Sequence, residues 1–239
     1  MSARYALYLA PSPESALWRF GSRVLGRDAA TGREIEGYAP ASLTPEDWRQ
    51  IAAEPRRYGF HATLKAPLRL HEGRTPLELE ASIEALAAQI SAFDLGALRV
   101  AAIQPGGFVA LTPVHRSAAL AKLEARALSA LDPFRAAATE SEIARRRPER
   151  LSDRQREYLS AWGYPYVLDE FRLHFSLTGS VATPEALAAE LAEDFAREVP
   201  DPSLAVDALV LFEQPEGEVF RIRRRFALGQ GDASTSDGT

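Results

Sequence analysis

Two short segments of this sequence carry the same arrangement: His61-Ala62-Thr63-Leu64 and His174-Phe175-Ser176-Leu177 each set a histidine two residues before a hydroxyl. In an extended strand the side-chain period is two, so His61 and Thr63 share one face while Phe60, Ala62 and Leu64 turn to the other. His174 and Ser176 sort the same way, with Leu173, Phe175 and Leu177 directed at a core. Only four histidines occur in the 239 residues, and two of them stand in matched settings. Imidazole exchanges a proton near neutral pH, so such a pair suits acid and base duty at a single phosphate ester. The neighbouring hydroxyls would donate to the non-bridging oxygens, where transition-state charge collects. Parity adds Lys65, two residues after Thr63, and Arg172, two before His174, as cations able to hold a phosphate. His71 and His115 stand in no matched setting and read as surface residues.

The surroundings of the two segments read as a duplication. After His61 come a strand, a helix opened by Thr75-Pro76-Leu77-Glu78, a strand over 98–103, the turn Gln104-Pro105-Gly106-Gly107 and a strand over 108–111. After His174 come a strand, a helix opened by Thr183-Pro184-Glu185-Ala186, a strand over 204–212, the turn Gln214-Pro215-Glu216-Gly217 and a strand over 219–226. In both helices threonine suits the N-cap and proline the first helical position. The first repeat covers about 58–131 and the second about 170–228.

Ahead of the repeats, 5–9 reads as a strand, and Ser12-Pro13-Glu14 as the cap of a helix with Leu17, Phe20, Val24 and Leu25 at helical spacing. A glycine-containing loop over 26–37 and a short helix from Thr44 to near Pro55 complete that region. Apolar spacing over 115–131 predicts a helix packed on the sheet. Between the repeats lies an insertion, about 136–169, with a helix from Ser152 to Trp162. Its Arg145-Arg146-Arg147-Pro148-Glu149-Arg150 run reads as a solvated helix end, with a clamp on an anionic substrate as the competing assignment. The tail over 229–239 has no apolar anchor and is expected to be disordered.

Composition excludes several classes. The chain is 46% hydrophobic and 26% charged, ordinary globular material able to bury a core. It has no cysteine, so disulfide frameworks and thiolate metal sites are out, and a reducing cytoplasm is the natural location. No long apolar stretch follows the start, and neither a signal peptide nor a membrane anchor is expected. A net charge of −5 argues against long nucleic acid as the main partner. The histidines could bind zinc, but no third ligand stands at a characteristic spacing and Thr and Ser are poor zinc ligands. No Gly-x-Ser-x-Gly nucleophile turn and no Walker-type glycine-rich phosphate loop is present.

The two histidine segments resemble the signature motifs of the two-histidine phosphoesterase superfamily, which includes the RNA ligase-like cyclic phosphodiesterases. Three wider stretches, Arg4-Tyr5-Ala6-Leu7-Tyr8, Tyr58 through Pro67, and Gly163-Tyr164-Pro165-Tyr166, are similar to one branch, a bacterial family described as phosphonate metabolism proteins. The resemblance implies a bilobal, duplicated α+β fold over 1–228, with two antiparallel sheets flanked by helices around a central groove. It implies metal-independent hydrolysis of a phosphodiester, commonly a cyclic one. His61 and His174 would then be the acid–base pair, with Thr63 and Ser176 the phosphate-binding hydroxyls. Substrate contacts are expected from Lys65, Arg172, Tyr8, Tyr58 and Tyr166. No cofactor is expected, and the partner expected is a small phosphorylated substrate. Two other functions compete: an RNA-end-processing 2′,3′-cyclic phosphodiesterase or 2′-5′ RNA ligase-like enzyme, and a phosphate-binding protein without turnover. Which histidine is acid, which is base, and the oligomeric state stay open in the sequence.

Overall fold

The computed structural model describes residues 3–229. Eight strands form one sheet: β1 (Arg4–Leu9), β2 (Ala62–Arg69), β3 (Phe93–Ile103), β4 (Phe108–Pro113), β5 (Phe175–Ser176), β6 (Ser203–Val206), β7 (Ala208–Gln214) and β8 (Arg221–Ala227). The order is β6-β3-β4-β5-β2-β1-β7-β8, and every neighbouring pair is antiparallel. Seven helices accompany it: α1 (Ala16–Leu25), α2 (Pro45–Arg56), α3 (Pro76–Ala88), α4 (Ala118–Leu131), α5 (Glu140–Ala144), α6 (Asp153–Trp162) and α7 (Pro184–Glu198). The fold is α+β. The two expected sheets are two four-stranded halves of one sheet, joined where Ala62 of β2 pairs with Phe175 of β5.

Each half mixes the repeats. In one half the hairpin β3–β4 from the first repeat lies between β5 and β6 from the second, and α7 packs on that hairpin. In the other half the hairpin β7–β8 from the second repeat lies beside β1 and β2, and α3 of the first repeat packs on it. The expected strand over 204–212 is divided at Asp207: β6 pairs with β3, and β7 pairs with β1. A single residue thus links one edge of the sheet to a strand next to the other edge, which requires the sheet to curl. At the same closure Gly229 bridges Ser91; the rest of the expected disordered tail, 230–239, lies outside the described residues.

Local sequence chemistry sets the helix starts. Thr75 and Glu78 form a reciprocal capping box, as do Ser152 and Gln155. Two expected caps differ. Helix α1 begins after Ser15, whose hydroxyl accepts from Trp18 N at 3.0 Å, while the Ser12 carbonyl accepts from Ser15 N. Two intervening positions, Pro13 and Glu14, belong to the entering turn and not to the helix. Thr183 precedes α7 but makes no side-chain capping bond, and Pro184 at the first position supplies the start. The core runs under both histidine strands: Phe60 and Phe175 are fully buried with ring centroids 5.1 Å apart, and Trp18 meets Phe60 edge-on at 6.4 Å. Gly21 of α1 faces Phe60, where an added Cβ would lie 2.2 Å from the ring, so the helix sits against this core only because position 21 has no side chain.

Candidate active site

The two histidines are held in the same way. His61 Nδ1 lies 2.8 Å from the Gly59 carbonyl, and His174 Nδ1 lies 2.8 Å from the Arg172 carbonyl, each two residues upstream. A carbonyl only accepts, so each Nδ1 carries the proton and each Nε2 is left with its lone pair. Gly59 has φ +80°, and an added Cβ would lie 2.4 Å from Ala29 Cβ, so the carbonyl that orients His61 depends on glycine at this position.

His61 lines a groove of about 560 Å³ together with Thr63, Ser176 and the four tyrosines Tyr8, Tyr58, Tyr164 and Tyr166. His174 and Arg172 line a small adjoining recess that shares Thr63, Tyr164 and Tyr166 with the groove. Neither the Thr63 nor the Ser176 hydroxyl has a hydrogen-bond partner among the described residues, which leaves both open to a ligand. Thr178, next along the same face, differs: its hydroxyl accepts from Val109 N at 2.9 Å and donates to the Gly179 carbonyl at 2.7 Å, fastening the strand to β4.

Electrostatics favour neutral imidazoles. Burial pushes His61 down to about 4, reinforced by nearby His174 and opposed by the bond to Gly59. Burial also lowers His174, opposed by its bond to Arg172. His61 stacks on Tyr8 with centroids 3.8 Å apart, and Tyr8, opposite Thr63 in the β1–β2 pairing, is itself buried. Tyr58 stacks on Phe220 at 5.2 Å and Tyr166 meets Tyr164 edge-on at 5.6 Å.

Lys65 is not at the groove. It is 2% exposed, pairs with Asp132 at 2.8 Å and lies 5.7 Å from the Trp162 ring centre. The cause is a register slip: Tyr8 pairs with Thr63 but Leu7 with Lys65, so one extra residue bulges out of β2 and the period-two argument fails beyond Thr63. Arg172 does line the recess, with its guanidinium turned back on the Asp169 and Phe171 carbonyls at 2.8 and 2.7 Å. His71 and His115 are exposed.

The insertion supplies residues that spacing did not reveal. Arg146 and Arg147 line the groove, so the arginine run is not merely solvated. Arg146 lies over Tyr164 at 4.9 Å, and Arg147 adopts a left-handed backbone at φ 51°. The insertion docks through Tyr158 and Val167 on Leu128 of α4, and Tyr158 hydrogen-bonds Asp169. The signal available in the sequence was the tyrosine pair Tyr164 and Tyr166, which follows the arginines after α6. Among the described residues no three His, Cys, Asp or Glu side chains gather as metal ligands, and no helix is long and apolar enough to cross a membrane.

Residues 63–221 match the family described as "Protein of unknown function (DUF1045)". A protein of Laribacter hongkongensis (strain HLHK9) named ribose 1,5-bisphosphate phosphokinase PhnN is 40% identical over 228 residues, which are 92% of this chain and 51% of that protein. A protein of the same name from Janthinobacterium sp. (strain Marseille) is 34% identical over 241 residues, 97% of this chain and 52% of the relative. The chain thus spans about half the length of the curated relatives it matches. Among solved structures, E. coli LigT complexed with 3′-AMP is similar at TM-score 0.44 and 16% identity, covering 96% of this chain and 100% of that one. TT0787 of Thermus thermophilus is similar at TM-score 0.48 and 16% identity, covering 97% and 100%. With a match spanning most of the chain, both histidine strands' hydroxyls included, the protein belongs to the DUF1045 family.

Proposed function

We propose that this chain is a phosphoesterase that hydrolyses a small phosphodiester, cyclic in the leading case, by metal-independent acid–base catalysis between two histidines. The observation that carries the reading is the matched tether: both imidazoles give Nδ1–H to a carbonyl two residues upstream and keep Nε2 free beside unpartnered hydroxyls. In the proposed reaction one neutral Nε2 takes a proton from the attacking water. The other imidazole, protonated at Nε2, gives its proton to the leaving sugar oxygen as the P–O bond breaks. Thr63 and Ser176 donate to the non-bridging oxygens, and Arg146 and Arg147 face the anion from the insertion.

The relatives' name brings phosphorylated ribose forward as the substrate class, and phosphonate breakdown as the setting that the sequence resemblance implies. Phosphoryl transfer from a nucleotide is not part of the proposal, because this chain has no G-x-x-x-x-G-K-[ST] loop to cradle it. A cytoplasmic protein acting on a free small molecule is the setting in which this reading works.

The test is hydrolysis of a panel of sugar and nucleoside cyclic phosphates after exhaustive chelation. Turnover should survive chelation. Loss of activity that zinc or manganese restores would overturn the metal-independent mechanism. Phosphate binding without turnover of any member would favour the binding-protein alternative.

A further inference from the structure

Beside the groove lies a second cavity of about 300 Å³, and the two share Glu54, Tyr58, Pro67 and Arg146 as a common wall. Five arginines line it against two glutamates. Two of the five are committed: Arg69 pairs with Glu142 at 2.9 Å, and Arg135 pairs with Asp132 at 2.9 Å. The other three have no ion pair to a carboxylate among the described residues. Arg4 spends only Nε, on Gln214 at 2.7 Å, and its guanidinium lies over Phe220 at 5.4 Å. Arg145 likewise spends only Nε, on the Ser141 carbonyl at 3.2 Å. The Arg146 guanidinium makes a ring contact with Tyr164 and no hydrogen bond among the described residues. Three arginines therefore line one small cavity with their terminal N–H groups unspent, and such groups take a phosphate by paired hydrogen bonds.

We propose that this cavity is a second phosphate subsite, so that the substrate is a small phosphodiester carrying a separate terminal phosphate on the same sugar. The inference rests on the phosphoesterase reading for the reacting end and names the substrate class for it. Tyr58, on the shared wall, would lie along the sugar between the two phosphates. The cavity is lined by β1, β2, the end of α2 and the insertion and is too short for a polynucleotide backbone, which needs a continuous basic track. Opening a cyclic phosphodiester on such a sugar leaves a sugar with two phosphates, and the subsite would bind the one that does not react.

The experiment has a turnover arm and a binding arm. In the first, adenosine 2′,3′-cyclic phosphate is compared with its 5′-phosphorylated form in the wild type, Arg145→Ala and Arg4→Gln. The 5′-phosphate should lower KM by about 10-fold or more, the effect of a charge-assisted hydrogen bond, and each variant should erase most of that advantage. In the second arm, ribose 5-phosphate binding is measured by calorimetry in the same proteins and in His61→Ala. Binding should persist in His61→Ala and weaken about 10-fold in Arg145→Ala. No 5′-phosphate advantage, or one that survives both arginine substitutions, overturns the subsite. If neither nucleotide turns over, the binding arm decides alone: arginine-dependent binding keeps the subsite while the phosphoesterase reading fails. Absent or arginine-independent ribose 5-phosphate binding removes the subsite. A strong preference for an oligonucleotide ending in a 2′,3′-cyclic phosphate, lost in Arg145→Ala, would replace it with an RNA-end site.

Discussion

His61 and His174 share a motif and a tether, yet the strands that carry them differ sharply. His61 enters β2, an eight-residue strand paired with β1 along its length, and its ring is enclosed by Tyr8, Tyr58 and Phe212. His174 enters β5, a strand of two residues, and its ring neighbour is Phe108 at 5.5 Å. Duplication alone would give two equivalent imidazoles. The exchange of hairpins between the repeats breaks the equivalence, because β2 is flanked by β1, whose Tyr8 stacks on His61 at 3.8 Å, whereas β5 is flanked by β4, whose Phe108 stands 5.5 Å from His174. Aromatic burial then holds His61 lower than an ordinary histidine by enough to reach about 4. The lower group is the better candidate for the neutral base, and His174 for the acid that keeps its proton to higher pH.

The largest expected effect tests that division directly. His61→Ala and His174→Ala should each lower kcat by about 100- to 10,000-fold, the usual worth of general acid–base assistance. The two losses should separate on an activated aryl phosphodiester, whose leaving group needs no proton. There His174→Ala should recover most of its activity and His61→Ala should not. Equal recovery of both variants would dissolve the assignment, and near wild-type activity of either would end the paired mechanism.

A smaller effect isolates the aromatic enclosure. Tyr8→Leu removes the ring stacked at 3.8 Å on His61 and leaves His174 untouched. Followed by NMR titration, His61 should move from about 4 toward the ordinary 6.5, because water regains access to the charged form. His174 should titrate as before. An unmoved His61 would mean that burial by Tyr8 is not what separates the two.

The same asymmetry explains what could be read from the sequence. Period-two spacing found both histidines, both hydroxyls and the core residues behind them, since those depend on a strand's geometry over two or three residues. It failed at Lys65, four residues from His61, because a bulge between Thr63 and Lys65 is set by pairing with β1 and leaves no local mark. It failed at 204–212 for a related reason: a single polar residue, Asp207, interrupts the apolar run from Leu204 to Phe212 and fits the exposed face of an unbroken strand equally well, yet the pairing partner changes there. For Arg146 and Arg147 the sequence offers a clamp only as the competing assignment, because their place follows from how the insertion docks on α4 through Tyr158 and Val167, contacts between residues distant in the chain. Helix starts were legible where the cap is reciprocal, as at Thr75 and Glu78. They were not where a serine and a proline precede the true cap, as at Ser12.

The last comparison concerns pH. The proposed reaction needs one imidazole protonated and one neutral, a form most abundant between the two pKa values. In the free protein both histidines lie below the ordinary 6.5, His61 at about 4. The optimum of kcat/KM should therefore lie between about 4 and 6.5, with activity falling as pH rises through neutrality and both groups become neutral. Stability moves the other way at the acid edge. A histidine whose folded pKa is depressed favours the folded state above 6.5, and that contribution is lost as pH falls through about 4, so circular dichroism must accompany the acid limb. A bound phosphate adds negative charge beside both rings and raises both values, which shifts the kcat profile to higher pH than the kcat/KM profile. Tyr8→Leu should shift the acid limb of kcat/KM, assigned to His61, and leave the basic limb, assigned to His174, in place. A kcat/KM that stays flat from pH 5 to about 9 would show that neither limb belongs to a histidine, and the comparison between the two strands would lose its chemical meaning.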